Sequence, residues 1–428
     1  MTRYGTTEAF ARLAARARPA FSRLPVRASG LPLSVLAALG ASLPAQAQLL
    51  AGNGCDWSES ALLTAYPETH ARYYTATLPT LQPAGSRIRI EGTYLDTRYF
   101  SFQLYDGRYQ PLDALPDHLL VPDTGSESTL VSRTASNPAA APGGRYTAYI
   151  DYGPIPQERS ANTLYAGAGA SGLQTTRVVL RTYLENGTVQ LPRIVVETPT
   201  GDQRLGTSLS SSECGSPKPA ALELTGLQFN LVSLGLTSLY ATRNVQFDVY
   251  YGGAAGGGVG LNQDTAFMAA TIRNAGDVVV VRGRAPTFRE RSGSTPETPD
   301  VRYWSMCQND KASTLVIACA ADRDTPIDAD GYYNLVIADA GVVRLPAGSG
   351  YAQLPFGATS NGYLIYRQIL PGLDFVGSAA TVPAGTAPVD VIGDYTPKGI
   401  YCSPARFQAR VNAGDSPAAV FAACVLKR

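Results

Sequence analysis

Four aspartates form the densest group of candidate ligands in the sequence. They are Asp322, Asp324, Asp328 and Asp330, and Gly331 follows them directly. Calcium binds six to eight oxygen atoms, many of them from carboxylates. The spacing differs from that of an EF-hand loop, and aspartate before glycine is also a frequent turn sequence. A calcium site and a set of turns are therefore the two interpretations of this loop, and no other cofactor is predicted.

A second candidate group is a nine-residue sequence that occurs twice. RYFSFQLYD at 98–106 matches RYWSMCQND at 302–310, so that arginine, tyrosine, serine and aspartate recur in place. A guanidinium can bind an anionic or hydroxylated ligand, and an aromatic ring can stack on a sugar. The same residue types also form structural contacts, with arginine paired to a carboxylate and aspartate closing a turn. The ligand-binding hypothesis concerns Arg98, Tyr99, Asp106, Arg302, Tyr303, Trp304 and Asp310.

The sequence contains no motif that identifies a reaction. It has neither the G-x-S-x-G elbow of serine hydrolases nor the H-E-x-x-H sequence of zinc proteases. With only His70 and His118, the chain cannot form a three-histidine metal site. Two carboxylates acting as acid and base leave no diagnostic spacing. A hydrolase or lyase that uses Asp106, Asp310 or Glu91 is therefore one alternative to a binding protein.

The six cysteines predict disulfides and an oxidising compartment. An even number favours up to three bridges, and the C-x-x-C spacing typical of zinc sites is absent. Six cysteines allow 15 pairings. The pairs that close local loops or tie down the ends of a domain are Cys307 with Cys319, Cys402 with Cys424, and Cys55 with Cys214.

Residues 1–47 have the pattern of a secretory signal peptide. Six arginines and one glutamate lie in the first 30 residues, and an apolar segment precedes Ala45-Gln46-Ala47. Without this leader 29 basic residues face 33 acidic ones, whereas nucleic-acid binding requires a basic surface. No later apolar segment approaches the roughly 20 residues of a membrane helix. We predict a periplasmic or secreted protein with no membrane span and no nucleic-acid partner.

The elements around these candidates have the pattern of strands. Five short blocks rich in β-branched and aromatic residues recur in one order, bounded by Gly, Pro, Asp or Asn. The matched blocks are 73–78 with 267–272, 87–92 with 278–283, 98–106 with 302–310, 146–150 with 333–337, and 178–184 with 364–370. This predicts an all-β protein of two tandem jelly-roll-like antiparallel β-sandwich domains related by internal duplication.

The pattern also predicts domain boundaries and two helices. The first domain spans 48–205, a linker follows at 206–221, and the second domain spans 222–428. Four consecutive valines at 278–281 predict a strand covered on both faces. Helical patterning is confined to 230–240 and 416–425.

Several of these phrases resemble a known family. Asn262-x-Asp264-Thr265-Ala266, GDVVVVRG at 276–283, RYWSM at 302–306 and GYYNLVI at 331–337 look like the bacterial proteins grouped as domains of unknown function 1254 and 1214. The resemblance covers about a third of the exported chain in short blocks. It implies a β-sandwich fold and no known activity.

The leading hypothesis is an exported tandem β-sandwich that binds a glycan or a small molecule without chemistry. The alternatives are the hydrolase or lyase and a structural protein of the cell envelope. An enzyme should hold two carboxylates in a concave pocket of one domain, whereas a binding module should present a row of exposed aromatic rings. The oligomeric state is not predicted.

Overall fold

The computed structural model describes residues 56–59, 66–78, 86–107, 109–126, 143–167, 176–204, 244–249, 260–288 and 298–425. They lie in one compact unit, Gln46–Arg428. The predicted leader at 1–47, the predicted linker at 206–221 and the predicted helix at 230–240 lie outside the described residues, as do Cys55 and Cys214.

Residues 56–204 form a first β-sandwich of two five-stranded sheets. Its described strands are β1 (Ser58–Glu59), β2 (Ala71–Leu78), β3 (Arg87–Thr93), β4 (Tyr99–Tyr105), β5 (Pro111–Pro116), β6 (Arg145–Asp151), β7 (Thr163–Tyr165), β8 (Thr176–Tyr183), β9 (Arg193–Thr198) and β10 (Gly201–Arg204). The inner sheet has the order β1-β2-β8-β4-β5, and the outer sheet has the order β10-β9-β3-β6-β7.

Residues 244–425 form a second sandwich with nearly the same topology. Its described strands are β11 (Asn244–Gln246), β12 (Asp248–Val249), β13 (Thr265–Arg273), β14 (Val278–Arg284), β15 (Tyr303–Asp310), β16 (Val316–Ala321), β17 (Tyr332–Ile337), β18 (Ala352–Leu354), β19 (Asn361–Ile369) and β20 (Lys398–Cys402). The inner sheet has the order β12-β13-β19-β15-β16, and the outer sheet has the order β11-β20-β14-β17-β18.

The five matched sequence blocks occupy equivalent strands of the two sandwiches. They lie on β2 and β13, β3 and β14, β4 and β15, β6 and β17, and β8 and β19. In each outer sheet one short strand pairs in parallel, β7 with β6 and β18 with β17, while the other pairs are antiparallel. The predicted all-β sandwich fold is confirmed.

The central strands of the inner sheets are covered on both faces. In β4 every residue is buried. Phe100, Phe102 and Leu104 belong to the core of the first sandwich, because alternate residues of a strand point to the same side. Tyr99 and Tyr105 point to the opposite side, toward the second sandwich, where each forms hydrogen bonds with residues of that sandwich.

The four valines of β14 are also covered on both faces, as predicted. Val279 and Val281 lie in the core of the second sandwich, whereas Val278 and Val280 pack beneath the C-terminal helices. The helices are α1 (Pro388–Ile392), α2 (Pro404–Asn412) and α3 (Pro417–Val425). The sequence prediction anticipated only α3 and missed α2, although Ser403 caps α2 by accepting a hydrogen bond from the Arg406 amide.

Two of the predicted disulfides are present. Cys307 and Cys319 face each other on β15 and β16, and Cys402 at the end of β20 is bonded to Cys424 in α3. Disulfides persist in oxidising compartments. Within the described ranges, every helix falls short of the length and apolarity needed to cross a bilayer.

Each sandwich core contains a tyrosine that crosses over a glycine of the facing strand. A Cβ atom on Gly283 would lie 2.4 Å from the Tyr333 hydroxyl, and one on Gly92 would lie 2.5 Å from the Tyr146 hydroxyl. Both tyrosine side chains are fully buried. The two positions therefore require glycine because of this close approach.

We expect Gly283→Ala to lower the free energy of unfolding by about 1–3 kcal/mol, because the buried Tyr333 ring must shift to admit one methyl group. Gly153→Ala is the control, since its nearest contact would be at 3.5 Å, and it should change stability by less than about 0.5 kcal/mol. Denaturant unfolding measures both values. Equal values for the two variants would show that the Tyr333 contact is not tight.

Candidate functional site

The two repeated arginines lie between the inner sheets, each paired with an aspartate of the other sandwich. Arg98 Nη1 is 3.2 Å from Asp322 Oδ2, and Arg302 Nη1 is 2.8 Å from Asp117 Oδ2. The side chains of all four residues are at most 6% exposed. Each arginine directly precedes an inner strand, and each aspartate follows the strand next to it. The two sandwiches thus exchange equivalent ion pairs.

The aspartates also bind the backbone of their own sandwich. Asp322 Oδ2 accepts a hydrogen bond from the Trp304 amide at 3.2 Å, and Asp117 Oδ2 accepts one from the Phe100 amide at 3.4 Å. Each carboxylate therefore joins its own strand to the arginine of the opposite sandwich. The equivalence of these contacts shows that the two loops have the same role.

The other predicted ligand-binding residues also have partners within the chain. Tyr99 donates a hydrogen bond to Asp264 at 2.7 Å, and the ring of Tyr303 packs edge-on against Tyr183. Trp304 lies in the core of the second sandwich. Asp106 and Asp310 accept hydrogen bonds from backbone amides of the turns that follow their strands. Ligand binding by these residues stays a prediction, and the contacts that they form within the chain are structural.

The four aspartates of the predicted calcium loop lie beside three different arginines. Asp322 faces Arg98, Asp324 is 3.5 Å from Arg323, and Asp328 forms an ion pair with Arg282. Asp330 is largely exposed, and its carboxylate lies 4.0 Å from the same Arg282. Among the described residues, one group brings three candidate ligand atoms within 4.8 Å of one another, and these aspartates are not part of it. Asp328 instead accepts hydrogen bonds from the amides of Asp330 and Tyr332, as a turn does.

A pocket opens on the outer sheet of the second sandwich. Its volume is about 470 Å³, and it is lined by Arg282, Asp330, Tyr332, Asp394, Lys398 and Phe421. β14, β17 and β20 supply Arg282, Tyr332 and Lys398. A short 3₁₀ helix at Gly393–Tyr395 supplies Asp394, and α3 supplies Phe421.

Hydrogen bonds hold the polar groups of this pocket in place. Asp394 accepts from the Tyr332 hydroxyl at 2.6 Å and from Lys398 Nζ at 2.7 Å. The guanidinium of Arg282 lies over the Tyr332 ring, 4.2 Å from its centroid, and binds Asp328 and Asn334. The ring therefore has a defined orientation at the pocket wall.

The same contacts set the charge of Asp394. Hydrogen bonds from Lys398 and Tyr332 lower the pKa of this carboxyl, so it is ionised at neutral pH. The bond to Asp394 in turn raises the pKa of Tyr332, which keeps the phenol protonated. The pocket thus offers a carboxylate acceptor beside ammonium and guanidinium donors.

The equivalent surface of the first sandwich carries different residues. Glu91 and Arg193 form an ion pair and occupy the register positions of Arg282 and Lys398, respectively. Arg145 stands in place of Tyr332. A further difference lies in the segment that leads from an inner strand to the next outer strand. Segment 370–397 connects β19 to β20 and carries Asp394, whereas the equivalent segment 184–192 is much shorter.

Sequence analysis found only part of this site. The predictions include Asp330 as a member of the candidate calcium loop, and Tyr332 lies in the matched phrase at 331–337. Arg282, Asp394, Lys398 and Phe421 were missed, because they lie far apart in the sequence and meet only through sheet pairing. The length of segment 370–397, compared with segment 184–192, was the one feature of the sequence that could have indicated this pocket.

In comparisons with known proteins, no family model and no curated protein matches the chain. The fold is similar to that of an uncharacterised protein from Burkholderia cenocepacia, with 13% identity over 83% of each chain and a TM-score of 0.49. A Vibrio parahaemolyticus protein is 11% identical over 81% of this chain and 91% of its own, with a TM-score of 0.38. Similarity at this level carries no statement about function.

We expect Asp117→Asn to lower the free energy of unfolding by about 3–5 kcal/mol, because it removes the carboxylate charge that faces the buried Arg302. Asp324→Asn is the matched control. Its carboxylate is 55% exposed and pairs with Arg323 at 3.5 Å, so its loss should cost less than about 1 kcal/mol. Urea unfolding at neutral pH measures both. A cost for Asp117→Asn no larger than that of the control would contradict the importance of the exchanged pairs.

Proposed function

We propose that the protein is exported and binds a glycan, without chemistry, in the pocket on the outer sheet of the second sandwich. One observation carries this proposal: Tyr332 stands at the pocket wall with its hydroxyl bound to Asp394, beside the charged groups of Arg282, Lys398 and Asp330. The two disulfides support an oxidising destination, and we assign this destination to the periplasm or the medium.

A sugar matches the chemistry of these groups. Its ring presents apolar C–H faces to aromatic side chains such as Tyr332 and Phe421, and its hydroxyls both donate and accept hydrogen bonds. Asp394 accepts from hydroxyls, whereas Lys398 donates to them. The existing bonds between these side chains hold them in position, so less conformational entropy is lost when a ligand binds.

The difference between the two sandwiches supports a site rather than a by-product of the fold. The scaffold strands are equivalent, and the matched sequence blocks support an internal duplication. Segment 370–397 and α3 add Asp394 and Phe421 to the outer sheet of the second sandwich, where they line the pocket. Arg145, Glu91 and Arg193 occupy the equivalent surface of the first sandwich, and none of them is aromatic.

A hydrolase or lyase is the second candidate, because the pocket holds two carboxylates, Asp330 and Asp394. Hydrolysis of a glycosidic bond needs a carboxylic acid with a raised pKa as proton donor. The pKa of Asp394 is lowered, and Asp330 is 76% exposed. Neither group has the buried environment of a general acid, which favours binding over catalysis.

We expect Tyr332→Ala and Asp394→Asn each to weaken glycan binding at least about tenfold, since each removes a contact worth about 1.4 kcal/mol or more. The measurement is a glycan array on the purified protein, followed by calorimetric titration of the oligosaccharides that bind. Arg145→Ala, at the equivalent position of the first sandwich, is the control and should bind as the unchanged protein does.

Mass spectrometry of the titrated oligosaccharide distinguishes the two candidates. An unchanged ligand after incubation supports binding, whereas cleavage that Asp394→Asn abolishes would establish the enzyme. Equal losses from Tyr332→Ala and Arg145→Ala would place the glycan outside this pocket. An array without binding would contradict the proposal and favour a structural role in the envelope.

A further inference from the structure

A buried carboxylate lies directly against the disulfide of the inner sheet. Glu68 Oε2 is 3.3 Å from Cys307 Sγ and accepts a hydrogen bond from the Ser305 hydroxyl. The carboxylate oxygen and the sulfurs of Cys307 and Cys319 lie within 4.8 Å of one another. Glu68 precedes β2 in the first sandwich, whereas both cysteines belong to the second. The three groups thus meet where the sandwiches join.

The two sulfurs remain together when their bond is opened. Cys307 and Cys319 are directly opposed on the paired strands β15 and β16, with their Cα atoms 4.0 Å apart. The backbone pairing of the strands, not the disulfide alone, therefore keeps both side chains beside Glu68. His70 Nδ1 contacts the other carboxylate oxygen of Glu68 at 3.1 Å. This contact orients the carboxylate, together with Arg367, whose Nη1 is 3.6 Å from Oε2.

We propose that reduction of the Cys307–Cys319 disulfide creates a zinc-binding site. Its ligands are the two thiolates and the Glu68 carboxylate, and His70 is a positioning residue. Zinc takes sulfur, nitrogen and oxygen ligands in tetrahedral geometry, and a site with three protein ligands leaves one position for water. A histidine hydrogen-bonded to a ligating carboxylate is a common outer partner in such sites.

The reaction balances with a thiol reductant as the electron donor. Two reductant thiols form a disulfide and supply two electrons and two protons, and the S–S bond of Cys307 and Cys319 breaks to give two thiols. Zinc then displaces both thiol protons to the solvent. His70 is 24% exposed and Cys319 is partly exposed, so both the reductant and the ion can reach the site from this side.

The equivalent place in the other sandwich differs at all three ligand positions. Gln103 faces Ala114 at the register of Cys307 and Cys319, and Asn262 stands in place of Glu68. The disulfide between Cys402 and Cys424 also lacks a third candidate ligand nearby among the described residues. The combination of two sulfurs and a carboxylate is therefore specific to one place.

The test is titration of the reduced full chain with Co²⁺, whose thiolate complexes absorb in the near ultraviolet, and competition with Zn²⁺. The background variant Cys55→Ser/Cys214→Ser removes the two cysteines that lie outside the described residues. We expect one equivalent of Co²⁺ to bind after reduction and none before it. Cys402→Ser/Cys424→Ser is the matched control and should keep this absorption, since both disulfides are open in the reduced protein.

Two variants make the result decisive. Cys307→Ser/Cys319→Ser should abolish the absorption, and Glu68→Gln should weaken Co²⁺ and Zn²⁺ at least about tenfold, as loss of even an outer partner of a metal site does. Circular dichroism checks that each variant is folded. No absorption in the reduced protein, or full absorption in Cys307→Ser/Cys319→Ser, would overturn the proposal.

Discussion

The exchange of buried ion pairs between the inner sheets is the constraint on which the rest of the structure depends. A buried guanidinium without a facing carboxylate is costly, so Arg98 needs the loop of Asp322 and Arg302 needs the loop of Asp117. Because the aspartates also bind the backbone of their own sandwich, neither inner sheet can slide without breaking both pairs. The inner faces are therefore buried where the sandwiches join. Side chains that can reach a ligand lie at the edges of these faces and on the outer sheets.

The features that distinguish the two sandwiches stand out against this near symmetry. The outer sheets share their strand order except at one edge, where β10 follows β9 in the chain but β11 lies far before β20. The pocket around Tyr332 and the carboxylate–disulfide group around Glu68 both lie where the equivalent residues differ in type. The strands that the two sandwiches share form the scaffold. Side chains that occur in only one of the two sandwiches supply the groups for binding a ligand.

Strand content could be predicted because it depends on local pattern. Ile88 and Ile90 are buried while Arg87 is exposed, as alternation requires, and the continuous valines of β14 lie between two apolar layers. The pairing of Cys307 with Cys319 followed from a short loop. The repeated arginines could also be found from local pattern, because a repeated sequence block can be recognised without knowing the structure.

Their partners could not be predicted in this way. An aspartate in the other half of the chain is selected by the packing of two sheets, and nothing local distinguishes Asp117 from Asp113. The pocket was even harder to predict from the sequence, because Arg282 and Phe421 meet only after β14, β20 and α3 have packed. The helix Pro404–Asn412 was missed because its buried residues, Phe407 and Val411, are too few to give a periodic pattern.

The most direct test of the exchanged pairs is differential scanning calorimetry of the intact protein under oxidising conditions. If the buried pairs join the two sandwiches as described, both melt together, in a single transition whose calorimetric enthalpy equals its van't Hoff enthalpy. Two separate transitions, each with the enthalpy of one sandwich, would contradict the account and show that the inner sheets hold together without depending on each other.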